Sequence, residues 1–348
     1  MDPLDGLNLE QRRAAETVRG PVCILAGAGS GKTTTITRRI GWQVASGAFR
    51  ADEILAVTFT DKAAGELKHR LRALGVDGVE ARTFHSAALA QLHRYAPGSV
   101  GQILPSKALP LRKIANRLPR PFRFRAAADL ATEIERAKNR RISPDRYLAQ
   151  ADGAGAPLPS DLMHRVYLEY ERGKQAAGLV DFEDLLELAI RLFESDEQAR
   201  LDLRSRLSSF TVDEYQDVNL LQQTLLDLWL GEREELCVVG DDYQSIYSFT
   251  GASPQWLLGM QERFPSALVA TLTDNYRSSP QVLELANRLV PNLGGAPKTL
   301  RPTKPDGPTP VVQRFATPDD EAHGSWSGSP RSASGSSRSQ SSAARMRG

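Results

Sequence analysis

The chain has 348 residues, 41% of them hydrophobic and 25% charged, a soluble globular composition long enough for two or three domains. No run approaches the roughly 18–20 apolar residues of a membrane helix, and the polar, acidic opening MDPLDGLNLEQ has no signal-peptide pattern, so a membrane partner is excluded and a cytoplasmic location is expected. The net charge of +2 leaves no electrostatic footprint for nucleic acid: residues 323–348 carry four Arg and no acid, and the remainder balances 40 basic against 42 acidic residues, or −2.

The first predicted strand, 22–26, is the apolar run Val22-Cys23-Ile24-Leu25. It leads into Ala26-Gly27-Ala28-Gly29-Ser30-Gly31-Lys32-Thr33, and Thr34–Val44 beyond reads as a helix. A strand, a glycine-rich loop, Lys-Thr and a helix together hold nucleotide phosphates. Backbone N–H groups converge on one concavity, and the helix N-terminus adds the positive end of its dipole. Lys32 would reach the β- and γ-phosphates, and Thr33 would place its hydroxyl on Mg²⁺. Gly27, Gly29 and Gly31 let the backbone approach closely. The strict pattern has Gly where Ala26 stands. A glycine-rich turn that merely links strand to helix is the alternative, and the flanking strand and helix weigh against it.

Further short apolar strands are predicted at 54–59, 79–83, 209–213, 236–240 and 267–272. Strands alternating with helices, and ending in polar or glycine-containing loops, predict an α/β fold. Its parallel sheet would carry a ligand site at the strand C-termini. Cys23 and Cys237 fall inside two of these strands and read as buried free thiols.

Residues 91–200 read differently. Leu162, Val166 and Tyr170 recur at helical spacing; Phe182, Leu185, Leu186, Ala189, Ile190 and Phe193 form a second stripe, and 126–139 is a charged helix. A mainly helical insertion between strands is expected, broken by a loop at 151–160. Beyond Leu300, Pro302, Pro305, Pro308 and Pro310 mark an extended stretch, and Val311–Phe315 is a candidate strand. Ten of the last 26 residues are Ser, which predicts a disordered tail from His323 onward.

The strand at 209–213 runs into Asp213-Glu214-Tyr215-Gln216-Asp217. Alone this reads as a solvated turn. Downstream of a phosphate loop, Asp213 can hold Mg²⁺ and Glu214 can orient and deprotonate a water aimed at the γ-phosphate. Gln244, in the loop after the next strand, can hydrogen-bond the γ-phosphate; by itself that loop reads as ordinary surface. Arg277 in Asn275-Tyr276-Arg277-Ser278 can supply a cation to transition-state charge, and Tyr276 can stack on a base. An isolated loop arginine is otherwise a solvated charge.

These motifs occur in one order: Leu7-Asn8 to Gln11, AGAGSGKT at 26–33, VTFTDKAAGELKHRL at 57–71, TFHS at 83–86, DFEDLL at 181–186, VDEYQD at 212–217, GDDYQSIYSFTGA at 240–252 and NYRSS at 275–279. As a set, covering about residues 4–322, they resemble the UvrD/Rep/PcrA group of superfamily 1 DNA helicases. The resemblance implies a RecA-like motor domain (1–90 and 201–272) interrupted by a helical subdomain (91–200), and the start of a second RecA-like domain (273–322). It implies that ATP sits between the two motor domains. Gln11 would read the adenine edge, Tyr276 would stack on adenine, and Arg277 would contact the γ-phosphate. Phe59, Thr60, His85, Tyr247 and Phe249 match DNA-contacting positions. The implied partners are single-stranded DNA and single/double-strand junctions, and the implied activity is 3′→5′ translocation and unwinding in DNA repair or replication restart. From the residues alone, Phe59 and Phe249 read equally as core packing and His85 as a structural residue.

Two positions depart from many relatives: Thr34 stands where they have an adenine-stacking Arg, and Thr250 where they have an Arg beside the DNA track. The likeness dissolves after Ala322, which points to a frameshift or premature end in the gene; resequencing through codon 323 tests it. A chain that binds Mg-ATP and, weakly, single-stranded DNA without processive unwinding is the alternative to a complete motor. A non-DNA P-loop ATPase fits poorly with TFHS and QSIY.

Overall fold

The computed structural model describes residues 2–123, 125–151 and 155–327, the last five of these by their backbone path alone. It divides into two units, Met1–Gly307 and Pro308–Gly348.

In the first unit the strands, in chain order, are β1 (Val22–Ala26), β2 (Ile54–Thr58), β3 (Glu80–Thr83), β4 (Gln102–Ile103), β5 (Leu179–Val180), β6 (Ser209–Val212), β7 (Leu236–Gly240), β8 (Leu268–Leu272), β9 (Asp274–Asn275) and β10 (Arg301–Pro302). Six of them form one sheet in the order β3-β2-β6-β7-β1-β8. Every pairing is parallel, as in Val22↔Cys237 and Leu55↔Phe210. The fold class expected from the strand–helix alternation is therefore the one observed. The two-residue pairs β4–β5 and β9–β10 were not foreseen, because two residues carry no periodicity.

The strands read as unbroken apolar runs because helices cover both faces of the sheet. Period-2 alternation divides their side chains. Cys23, Leu55, Val57, Phe210, Val212 and Val238 face one way, toward the helices Phe84–Tyr95, Phe182–Ser195 and Leu220–Leu230. Val22, Ile24 and Val239 face the other way with Ile36 of helix Lys32–Ala45, and Ile54 and Ala56 do so with Leu67 and Leu71 of helix Asp61–Ala73. On the first face Trp229 is fully buried and stacked between Phe84 and Phe210, at centroid distances of 5.8 and 6.4 Å. Its Nε1–H donates to Gln91 Oε1 at 2.8 Å, so the ring's one polar group is satisfied. Cys23 and Cys237 are free and buried, as expected.

A second core lies within 111–170, where Leu111, Leu130, Ile134, Tyr147, Met163, Val166 and Tyr170 pack together. The stripe Leu185–Phe193 instead joins the sheet's core, while Phe182, at the start of its helix, stays 46% exposed. The two regions are tied by a buried ion network. Asp181 caps the helix Phe182–Ser195, its carboxylate accepting from Asp184 N at 3.1 Å. Lys138 Nζ reaches Asp181 Oδ1 and Asp184 Oδ1, each at 2.6 Å, and Lys174 Nζ donates to Asp181 Oδ2 at 3.0 Å. Burial alone would raise the Asp181 carboxyl. The two ammonium groups outweigh it and hold the carboxyl well below the usual carboxylate range. The carboxylates Glu171, Asp181 and Asp184 converge closely enough to ligate a cation, but these lysines already occupy the space between them.

In the second unit Val311–Phe315 forms no strand, contrary to the sequence expectation. Val311 and Val312 are 89% and 82% exposed, and prolines 308 and 310 lack the N–H a ladder needs. A helix, Pro318–Ser327, follows, opened by Asp319, Asp320 and Glu321, which suit its N-terminal dipole. It carries helical backbone five residues into the stretch expected to be disordered; the rest of that stretch, 328–348, lies outside the described residues. No helix among the described residues is long and apolar enough to cross a membrane.

Candidate nucleotide-binding site

Every motif singled out in the sheet's connections leaves the C-terminal end of a strand, so all of them share one edge. After β1 the chain bends through Gly29 (φ +72°) and Gly31 (φ +86°), both left-handed. A Cβ on Gly29 would lie 2.6 Å from Arg277 Cβ, and one on Gly31 would lie 2.6 Å from Gln11 Nε2. Gly29 is thus required by conformation and by close approach, and Gly31 by its conformation. The loop is braced by Ser30 Oγ donating to Gly27 O at 2.8 Å and by Gln11 Nε2 donating to Ser30 O at 3.0 Å. Gly31 offers no side-chain cap to the helix Lys32–Ala45, whose first N–H groups are those an anion can take.

Lys32 Nζ donates to Glu214 Oε2 at 3.0 Å. Glu214 stands at φ +51°, one of two described non-glycine residues in the left-handed region. Asp213 is buried, and its Oδ1 accepts from Glu214 N at 2.9 Å. Burial, with the Glu214 charge beside it, pushes Asp213 up to about 6 despite Lys32. Asp217 is likewise raised to about 6 by burial and Glu214. Gln216 Nε2 donates to Glu214 Oε2 at 2.9 Å, and Gln216 Oε1 accepts from Asp241 N at 2.9 Å. Gln244 Nε2 donates to Asp241 Oδ2 at 2.5 Å. The two acidic motifs are therefore wired together behind the loop.

The opposite wall is the Asn275–Ser278 turn. Asn275 Nδ2 donates to Ala28 O at 2.5 Å, its Oδ1 accepts from the N–H groups of Arg277 and Ser278, and Tyr276 N donates to Gly29 O at 2.9 Å. Asn8 Nδ2 bonds the Tyr276 hydroxyl at 3.1 Å. Between these walls lies a cleft of about 680 Å³. Of the residues singled out in the sequence, it brings together Gln11, Ala28, Gly29, Gly31, Lys32, Thr33, Thr34, Glu214, Gln244, Tyr276 and Arg277 as its lining. Ala26, Ser30 and Asp213 lie buried behind the lining, and Gly27 meets Leu300. Sequence reasoning assigned no role to Arg70 or Lys304, which also line the cleft, or to Asn8, Gln216 and Asn275. Asn8 was readable: with Gln11 three residues on it forms a capping box. Asn275 and Gln216 combine local bonds with tertiary ones, and it is the tertiary bonds, to Ala28 O and Asp241 N, that the sequence does not announce.

Of the residues matched to DNA contacts, the structure joins three. Phe59 stacks on Tyr247 at 5.8 Å and 20°, and Tyr247 meets Phe249 at 6.2 Å. Phe59 and Phe249 are 37% and 56% exposed, so the core-packing alternative fails for both. The turn Ser248–Thr250 rests on helix Ala127–Asn139, with Asn139 Nδ2 donating to Thr250 O at 2.8 Å. Thr60 caps helix Asp61–Ala73, its Oγ1 accepting from Ala63 N at 3.1 Å. His85 stands apart from the aromatic trio, edge-on to Phe182 at 5.8 Å. Burial and then the Lys107 charge push it down to about 4, so its imidazole is neutral at pH 7.

Six parallel strands delivering polar loops to a single edge, with a phosphate loop after β1, make this a RecA-like P-loop domain. A sequence profile described as the UvrD/REP helicase N-terminal domain matches residues 7–265. The ATP-dependent DNA helicase UvrD2 of Mycobacterium tuberculosis is 43% identical over 92% of this chain and 49% of its own length. The helicase Rep of Escherichia coli is 36% identical over 82% of this chain and 43% of its own length. The helicase PcrA of Bacillus subtilis is 33% identical over 83% and 40% respectively. The chain belongs to the UvrD/Rep helicase family, and it spans about half the length of the curated relatives it matches.

Proposed function

We propose that this chain binds Mg-ATP in the cleft beside Gly29–Thr33 and uses its hydrolysis, as part of a UvrD-type motor, to move 3′→5′ along single-stranded DNA. The observation that carries this is the meeting of Lys32 and Glu214 at 3.0 Å in a cleft that Gln244 and Arg277 also line. Lys32 holds the β- and γ-phosphates. Glu214 orients and deprotonates the attacking water, Gln244 reads the γ-phosphate, and Arg277 stabilises transition-state charge. Gln11 and Tyr276 take the adenine. A divalent ion fits the donor set: Asp213 is a buried carboxylate that lacks enough neighbouring positive charge, and Thr33 offers a hydroxyl from the same wall. Bound there, Mg²⁺ would neutralise phosphate charge.

Phe59, Tyr247 and Phe249 supply sequence-independent stacking for bases, the grip a motor needs on any strand. The division read from the sequence put all of 91–200 in the helical insertion; here helix Phe182–Ser195 is instead assigned to the motor domain, on whose sheet it packs. Duplex unwinding, action at single/double-strand junctions and a repair role are proposed for the complete motor. The second reading is that these 348 residues by themselves bind Mg-ATP and DNA with slow turnover.

ATP turnover measured with and without single-stranded DNA tests both. The motor reading expects stimulation that Lys32→Ala abolishes; binding without turnover favours the second reading, and neither binding nor turnover contradicts both. Tyr247→Ala and Phe249→Ala are each expected to weaken single-stranded DNA binding by about 1–3 kcal/mol while leaving nucleotide affinity unchanged, read by fluorescence anisotropy of a labelled oligonucleotide.

A further inference from the structure

Lys298 is not a wall of the nucleotide cleft, yet its side chain is only 1% exposed. Its Nζ lies 3.1 Å from Asp241 Oδ1, contacts Asp242 as well, and sits 3.9 Å from the centre of the Tyr243 ring. The backbone around it is stitched to the same loop. Ala296 N donates to Asp242 Oδ2 at 2.9 Å, and the Tyr243 hydroxyl donates to Ala296 O at 2.9 Å. Two residues on, Leu300 lies against the phosphate loop, where a Cβ on Gly27 would come 2.6 Å from Leu300 Cδ2. Asn287 holds Leu300 by both its N–H and its C=O. Residues 296–300 thus form a strap running from the Asp241–Gln244 loop to the phosphate loop.

A buried ammonium is tolerated only when its partners repay its desolvation. Here both partners belong to one loop, and one of them is a hub. Asp241 accepts from Gln244 through Oδ2 and donates through its N–H to Gln216, which in turn bonds Glu214. We infer that Lys298 is a positioning residue: by fixing Asp241 it holds Gln244 where the γ-phosphate is read, so that the strap makes the site distinguish a nucleoside triphosphate from a diphosphate. The inference rests on the nucleotide reading given above. A merely structural lysine, when removed, would weaken both nucleotides alike. A positioning lysine costs only the share of binding that the γ-phosphate provides.

The test is calorimetric titration of the full chain with Mg-AMP-PNP and with Mg-ADP, for the wild type, Lys32→Ala and Lys298→Met. The expected result for Lys298→Met is an affinity for AMP-PNP lower by about tenfold, the size of one charge-assisted hydrogen bond, with ADP affinity within about twofold of wild type. If Lys298→Met lacks the native far-UV circular dichroism spectrum, Lys298→Gln, which keeps a donor for Asp241, is read instead and is expected to show a smaller loss confined to AMP-PNP. Equal weakening of both nucleotides, an unchanged ratio, or a wild type that does not distinguish them overturns the inference. Failure of the wild type to bind either nucleotide, or binding indifferent to Lys32→Ala, instead overturns the nucleotide reading itself.

Discussion

Replacing Glu214 by Gln is expected to lower single-turnover ATP cleavage, measured with single-stranded DNA present, by about 10²–10⁴-fold, the usual contribution of a positioned general base. The substitution keeps the shape of the side chain and the left-handed backbone at φ +51°, where a larger change would add strain. What it removes is the carboxylate proposed to take the proton from water. Binding should not fall with it. Lys32 donates to Glu214 at 3.0 Å, and the pair must part before the lysine can serve a phosphate. A neutral partner releases Lys32 more readily, and also removes the negative charge that helps push Asp213 up to about 6. Mg-AMP-PNP affinity is therefore expected to hold or rise as cleavage falls. Cleavage at the wild-type rate in Glu214→Gln would place the base elsewhere.

Asp181→Ala is expected to destabilise the chain by about 3–5 kcal/mol, the cost of leaving buried charge unpaired, read as a shift of the urea midpoint. Asp181 is 1% exposed and is shared by Lys138, Lys174 and the Tyr170 hydroxyl. Removing it strands two nearly buried ammonium groups on Glu171 and Asp184 and uncaps helix Phe182–Ser195. Asp181→Asn, which can still accept from Asp184 N, should cost less. The pH dependence has a definite sign. The folded-state carboxyl lies below its unfolded value, so its stabilisation is present above the ordinary carboxylate range and is lost as the medium is acidified through the lowered value. The midpoint gap between wild type and Asp181→Ala should therefore narrow in acid. By contrast, the exposed Arg12–Glu16 pair, spaced i,i+4, contributes at most a few tenths of a kcal/mol. A small, pH-independent effect of Asp181→Ala would mean that the lysines find equivalent partners without it.

Much of this was written locally. The six sheet strands were legible because each is a short apolar run closed by a polar or glycine-bearing turn, and their bounds agree with expectation to within a residue or so. The phosphate loop was legible because two of its glycines, Gly29 and Gly31, are required by backbone geometry. Val311–Phe315 misled for the opposite reason: an apolar run is only a candidate strand until an edge exists to pair with it, and both valines are exposed. The cleft's inner wiring was less visible. Asn275 and Gln216 matter through bonds to Ala28 and Asp241, far away in the chain, and Lys298 is an unremarked lysine until the fold buries it against two aspartates. The His85 ring turns to Phe182, whereas Phe59, Tyr247 and Phe249 gather, and neither arrangement is written in the spacing of the motifs.

The most direct measurement is a crystal structure of the chain grown with Mg²⁺ and AMP-PNP. The account predicts β- and γ-phosphates cradled by the N–H groups of Gly29–Thr33, Lys32 turned from Glu214 onto the γ-phosphate, and Gln244 and Arg277 within hydrogen-bonding reach of it. A nucleotide bound anywhere else, or density showing Lys32 still paired with Glu214 while the nucleotide occupies the cleft, would contradict it.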